Sequence, residues 1–168
     1  MSDGSGLMSG PRRPGGFTLL ELTIVLVLTG LVMAIAGLTF SGYFQRSSAR
    51  RAAQVFARDL SLARSTALRS RSKVVIRFDE TNRWYQIVSK ESGSQIVRRR
   101  FGEDADVALS GINLMIAGDS LVFNVKGVAD LSDIQGSSTT LGEATFMFGA
   151  IRYTVFFNSL GASMIEEG

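Results

Sequence analysis

The sequence predicts an α+β protein in which one long N-terminal helix packs on an antiparallel β-sheet domain. Three observations predict it. Between Phe17 and Phe40 the chain is an apolar run whose sole charge is Glu21. Beyond it, Ala49, Ala52, Ala53, Phe56, Leu60, Ala63 and Ala67 recur at three- and four-residue spacing, which at about 100° per residue places them on one stripe roughly 100° wide. After Arg71 the apolar period changes to two, the period of a strand with one buried face.

Residues 1–16 form a short leader in which Arg12 and Arg13 face only Asp3. Residues 17–44 then supply a membrane-spanning helix, because about 20 apolar residues at ~1.5 Å each cross the hydrocarbon layer. The positive-inside tendency keeps the leader cytoplasmic and sends the rest of the chain across. Arg46, Arg50 and Arg51 follow the span without reversing this orientation, since long domains translocate largely regardless of charge. Residues 45–71 continue the helix in amphipathic form. Arg51, Arg58 and Arg69 project opposite the alanine-rich stripe, with Arg46, Arg50, Arg64 and Arg71 flanking it. A continuous helix from Phe17 to about Arg71 would extend on the order of 80 Å. Gly30, Gly37 and Gly42 lower its propensity by about 1 kcal/mol each and allow close approach of neighbouring helices.

Residues 72–168 read as the β domain. Val74, Ile76 and Phe78 share one face of a first strand, and a second runs from Trp84 to Val88 across a turn at Asp79 to Asn82, a hairpin. Further strands are expected from Ser94, Ile112, Ser120, Thr145 and Ile151, with a tight reversal at Gly149-Ala150 joining the last two. The Ser/Thr/Gly-rich stretch from Ser132 to Gly142 reads as an exposed loop.

Composition argues against catalysis. The chain has no cysteine and no histidine, which removes thiolate nucleophiles, the commonest general base and the commonest metal ligand. The acidic pairs Asp79-Glu80 and Glu103-Asp104 fall in turns with no such group nearby, so no enzyme activity, cofactor or metal is expected. A formal charge of +3 does not describe a nucleic-acid binder. Arg98, Arg99 and Arg100 form a basic run, but strand alternation sends Arg99 to the opposite face from its neighbours. Trp84 and Tyr85 are expected to pack at the edge and in the core rather than to stack on bases.

Glu21 is the residue these readings leave unexplained. A carboxylate in a spanning helix costs about 2.5–3.5 kcal/mol at the centre and less near the interface. A cleaved signal peptide ending at "AIAG", Ala34 to Gly37, has too long an apolar run, and a plain signal anchor gives the acid no purpose. Cleavage between Gly16 and Phe17 would create an α-amino group that a neighbouring helix could bring to Glu21 in low dielectric.

The stretch "GGFTLLELTIVLVLTG" resembles the class III signal of type IV pilins and type II secretion pseudopilins, with glycine last in the leader, phenylalanine first in the mature chain and glutamate fifth. The resemblance implies a pilin-like fold, cleavage after Gly16 by a prepilin peptidase, N-methylation of Phe17 and an assembly role for Glu21. It further implies a single-pass inner-membrane protein with its C-terminal domain in the periplasm, whose partners are other pseudopilins or pilins in a filament. "LVFNVKG" and "YTVFFNSLGAS" are similar to elements of the GspH/FimT group, an F-x-x-x-G step at Phe123 and Gly127 and a late glycine at Gly161. The expected function is therefore that of a minor pseudopilin at the tip of a type II secretion pseudopilus. The alternative is a type IV pilus minor pilin in pilus assembly or DNA uptake. The group often has a basic residue after the late glycine, and here Ala162 stands there, followed by Ser163, Met164 and, after Ile165, two glutamates. Nucleic acid is accordingly not an expected partner.

Overall fold

The computed structural model describes residues 16–102, 105, 107–115, 120–131 and 141–168, and only the backbone of residues 38–41. Arg12, Arg13, the pair Glu103-Asp104 and the loop expected over residues 132–140 lie outside the described residues.

Helix α1 runs from Leu19 to Ser70, 52 residues, two residues shorter at its start than the apolar pattern suggests. The start is set by Thr18, whose Oγ1 accepts a hydrogen bond from the backbone N–H of Glu21 at 3.2 Å. This satisfies one of the free donors of the first turn, and Thr18-x-x-Glu21 has the spacing of a capping box. At the other end Arg69 lies in the last turn, where a cation complements the helix dipole. Arg71 takes a left-handed φ of 48°, which stops the helix.

The chain forms two compact units, Met1–Thr39 and Phe40–Gly168. In the first, the helix is long and apolar enough to cross a membrane, and Leu19 to Ile35 present their large apolar side chains outward. In the second, the rest of α1 packs with two antiparallel sheets. β1 (Val74–Asp79), β2 (Trp84–Ser89), β3 (Gln95–Arg100), β5 (Ser120–Phe123) and β6 (Ala129–Asp130) make one, in the order β3-β2-β1-β5-β6. β4 (Gly111–Leu114), β7 (Leu141–Phe148), β8 (Ile151–Asn158) and β9 (Ser163–Glu167) make the other, in the order β4-β7-β8-β9.

The expected hairpins form: β1 pairs with β2 across the Asp79 turn, and β7 with β8 through Gly149-Ala150, where Gly149 has φ 62°. β7 departs from expectation by starting at Leu141, so Leu141 and Gly142 are strand and not loop. Composition misleads at Gly142 because the Phe157 ring sits where its Cβ would be, within 2.6 Å, and only glycine admits so close an approach. β9 is also beyond the sequence reading: it is an edge strand with Ile165 as its lone half-buried residue, and edges accept charged side chains.

The stripe Ala49, Ala52, Ala53, Phe56, Leu60, Ala63 and Ala67 is wholly buried. Phe56 joins both sheets, meeting Phe78 and Tyr85 edge-on at 5.4 Å on one side and Phe146 at 5.5 Å and Phe157 at 6.0 Å on the other. Such ring pairs add about 0.5–1.5 kcal/mol each beyond area burial. The small alanines around Phe56 let the sheets close on the helix backbone.

Candidate functional site

The residues expected at the processing site are described on their own unit. Phe17 is 85% exposed, and nothing lies within 4 Å of where a Cβ on Gly16 would stand. Glu21 occupies the first turn of α1, where the dipole favours an acid. Phe17 and Glu21 are four residues apart.

In the second unit, polar residues fix the helix to the sheets. Asp59, only 4% exposed, accepts a hydrogen bond from Tyr85 Oη at 2.8 Å. Its carboxylate also accepts from Arg99 Nε at 3.0 Å and Nη2 at 3.2 Å, a two-pronged pair linking α1, β2 and β3. Burial, then the Asp59 charge, drives the Tyr85 hydroxyl far above the usual phenol range. The hydrogen bond to Asp59 raises Arg99 further, so the guanidinium stays charged. Arg99 thus lies on the helix-facing side, opposite Arg98 as alternation predicted, while Arg98 stacks on Trp84 with its guanidinium carbon 4.7 Å from the ring centroid. Tyr85 is fully buried and offers no stacking face. Sequence reasoning missed Asp59, although it lies seven residues after Ala52 and so on the same helix face.

Two glycines expected from the sequence close twin turns. Asn124 Oδ1 accepts from the N–H of Lys126 at 2.8 Å and of Val128 at 3.2 Å, and Gly127 N–H donates to Asn124 O at 2.8 Å. Asn158 Oδ1 accepts from the N–H of Leu160 and Ala162, each at 3.0 Å, and Gly161 N–H donates to Asn158 O at 2.9 Å. Both glycines are left-handed, with φ 68° and 71°. Each turn is Asn-x-x-Gly, in which the amide mimics a backbone acceptor and glycine supplies the positive φ. Ala129 N–H donates to Ser159 O at 2.7 Å, joining the two turns and with them the two sheets. Leu68 and Arg64 of α1 pack under Gly127, and Arg64 also reaches Gly161. The asparagines were the missed signal.

Residues 11–37 match the prokaryotic N-terminal methylation motif, and residues 52–161 match the family described as type II transport protein GspH. The chain belongs to the GspH family. No curated protein matches it by sequence. Among solved structures, the type IV minor pilin FimU of Pseudomonas aeruginosa is similar at 17% identity and TM-score 0.50, over 72% of this chain and 90% of that one. The minor pseudopilin EpsH from the type 2 secretion system of Vibrio cholerae is similar at 12% identity and TM-score 0.49, over 71% of this chain and 97% of that one. The GspH family, described as a type II transport protein, and this pilin-like fold are those of structural pilin subunits.

Further polar residues of this GspH-family chain hold its turns and edges. Asp79 accepts from the backbone and side chain of Asn82 at 2.8 and 2.9 Å, and these bonds hold its carboxyl below the usual range. Glu80 accepts from the Leu114 N–H at 3.2 Å. At the terminus, Glu167 accepts from Tyr153 Oη at 2.6 Å and pairs with Arg46 Nε at 3.0 Å, fastening β9 to α1. Burial and the Glu167 bond push the Tyr153 hydroxyl up.

Proposed function

We propose that the chain is a subunit of the periplasmic pseudopilus tip of a type II secretion machine, matured by a prepilin peptidase between Gly16 and Phe17. In this reading residues 1–16 are a cytoplasmic leader, residues 17–44 anchor the chain in the inner membrane, residues 45–71 carry the helix onward, and residues 72–168 lie in the periplasm. Phe17 becomes the methylated terminus, and Glu21 meets the terminal amine of a neighbouring subunit during assembly. One observation carries the reading: a single chain joins the N-terminal methylation motif, over residues 11–37, to a GspH domain, over residues 52–161.

Physical detail supports it. Gly16 has open space around its absent Cβ, so nothing described in the fold calls for glycine there, whereas a protease cleft that reads the backbone closely would. Glu21 near a helix N-terminus is easier to hold in a membrane than at the centre of a span. The likeness to FimU supports a second reading, a type IV pilus minor pilin, and genomic neighbours separate secretion from pilus operons.

Mass spectrometry of the membrane-extracted protein tests the maturation step. The expected mature chain begins at methylated Phe17, and Gly16→Asp should accumulate the unprocessed form. A mature chain beginning near Gly37 would establish ordinary signal cleavage and overturn the reading.

A further inference from the structure

Three arginines occupy the flank of the apolar segment where topology has least use for them. Arg46, Arg50 and Arg51 follow the span on its translocated side, in a chain whose leader already carries the orienting charges. With Tyr43, Ser47 and Gln54 they line an open groove of about 320 Å³ on the second unit. At 100° per residue these six positions span about 140° of α1, with Arg46 bordering the buried stripe at Ala53 and the other five farther round the helix. Tyr43 and Phe44 stand at the start of this face, exposed and edge-to-face with each other. Arg46 pairs with Glu167. Among the described residues no ion pair is formed by Arg50 or Arg51, so the groove keeps a net positive charge.

From this we infer that the groove of Tyr43, Arg46, Ser47, Arg50, Arg51 and Gln54 binds the headgroups of anionic phospholipids in the membrane that the helix enters. The inference rests on the membrane-anchored reading above. With Glu21 near one interface, the ~20 residues needed to cross the hydrocarbon bring the helix to about Ser41. Tyr43 then falls at the opposite interface, the depth that tyrosine favours in membrane proteins. Arg46 to Arg51 follow about 4–12 Å beyond Tyr43 along the axis, inside or just beyond a headgroup layer of roughly 5–8 Å per leaflet. Guanidinium groups reach back along apolar surface to such a layer and pair with phosphates by two parallel hydrogen bonds. Ser47 and Gln54 add neutral donors in the same groove.

The absence of cysteine makes the test clean. The full chain carrying Gln54→Cys, labelled with a fluorophore, is reconstituted in phosphatidylcholine vesicles and in vesicles with added phosphatidylglycerol. Quenching by lipids spin-labelled at the headgroup gives the relative association of each lipid with the groove. Phosphatidylglycerol should be enriched at the label, and the enrichment should fall on the order of tenfold in the Arg50→Gln/Arg51→Gln variant and weaken at high salt. The Arg50→Lys/Arg51→Lys variant should retain most of it. Equal association of both lipids, or no difference between wild type and the glutamine variant, overturns the inference while the anchor stands. Flotation of each sample with its vesicles is scored in parallel: failure to float with either lipid would overturn the membrane anchor itself.

Discussion

Replacing Asp59 with alanine should loosen the β1–β2–β3 sheet from the helix. In the native arrangement the buried carboxylate accepts from Tyr85 and, twice, from Arg99. Alanine leaves the buried Tyr85 hydroxyl without its acceptor, a loss of about 1–3 kcal/mol. Arg99, whose side chain is 44% exposed, rehydrates at the surface and adds about 0–1 kcal/mol. Together the loss is about 1–4 kcal/mol, a large share of the ~5–15 kcal/mol typical of a domain. A fragment beginning at Arg46 keeps every buried apolar side chain of the described core, the first being Ala49. Its urea unfolding can be followed by the single tryptophan, Trp84, in the strand that carries Tyr85. A double-mutant cycle isolates the contact. In a Tyr85→Phe background there is no hydroxyl to strand, so Asp59→Ala should be milder by roughly 1–2 kcal/mol. If Asp59→Ala unfolds at the wild-type urea concentration, or the cycle shows additivity, the network does not hold the sheet and the reasoning is refuted.

Alkaline pH offers a second view of the same network. Burial raises Tyr85 above its unfolded value of ~10, so the neutral hydroxyl's stabilisation is complete below pH ~10 and is lost as pH rises toward the folded value. Fragment stability should decline above pH ~10 by up to ~1.4 kcal/mol per unit, more shallowly in Tyr85→Phe; identical slopes would refute the assignment. Gly127→Ala should destabilise by about 2–4 kcal/mol, since the left-handed φ of 68° disfavours a side chain and the new Cβ lies 2.9 Å from Leu68 Cγ; unchanged thermal unfolding would show that the turn relaxes freely. Glu21→Ala should insert in the membrane at least as well as wild type and still be cleaved after Gly16, but fail to crosslink to other filament subunits; normal crosslinking and secretion would reduce Glu21 to a helix-start residue held by Thr18.

What the sequence disclosed follows from how far apart the interacting residues lie. The alanine stripe was legible because burial on one helix face repeats every three or four residues, and all seven of its members are buried. The β1–β2 hairpin was legible for the same local reason, since its turn residues and alternation sit within one short window. Asp59 was not, because its partners Tyr85 and Arg99 lie 26 and 40 residues downstream. A lone acid on a basic helix reads as surface until the sheet is in place. Gly142 was misread because its glycine serves the Phe157 ring across the β7–β8 pair, a long-range fit that local composition assigns to a loop. At the N-terminus the pattern of Gly16, Phe17 and Glu21 was visible, but the Thr18 cap was not, since the apolar run masked where the helix begins.

The late glycine marks where this chain parts from the group it resembles. After Gly161 the backbone enters β9, and the two acids that stand near the expected basic residue divide their roles. Glu167 is held by Arg46 and Tyr153, so it works inside the fold, while Glu166 pairs across to Thr154 on the exposed side of the sheet. Between Gly161 and Gly168 the strand itself carries two acids and no arginine or lysine, and the cations beside it, Arg46 at Glu167 and Arg152 at Gly168, come from other elements. The groove at Arg50 and Arg51 lies on the helix, with Arg50 also lining a second groove beside Tyr153, Ile165 and Glu167. The salt bridge from Arg46 to Glu167 therefore partly neutralises one cation of the groove while anchoring an acidic terminal strand, so Arg50 and Arg51 carry most of the groove's positive charge.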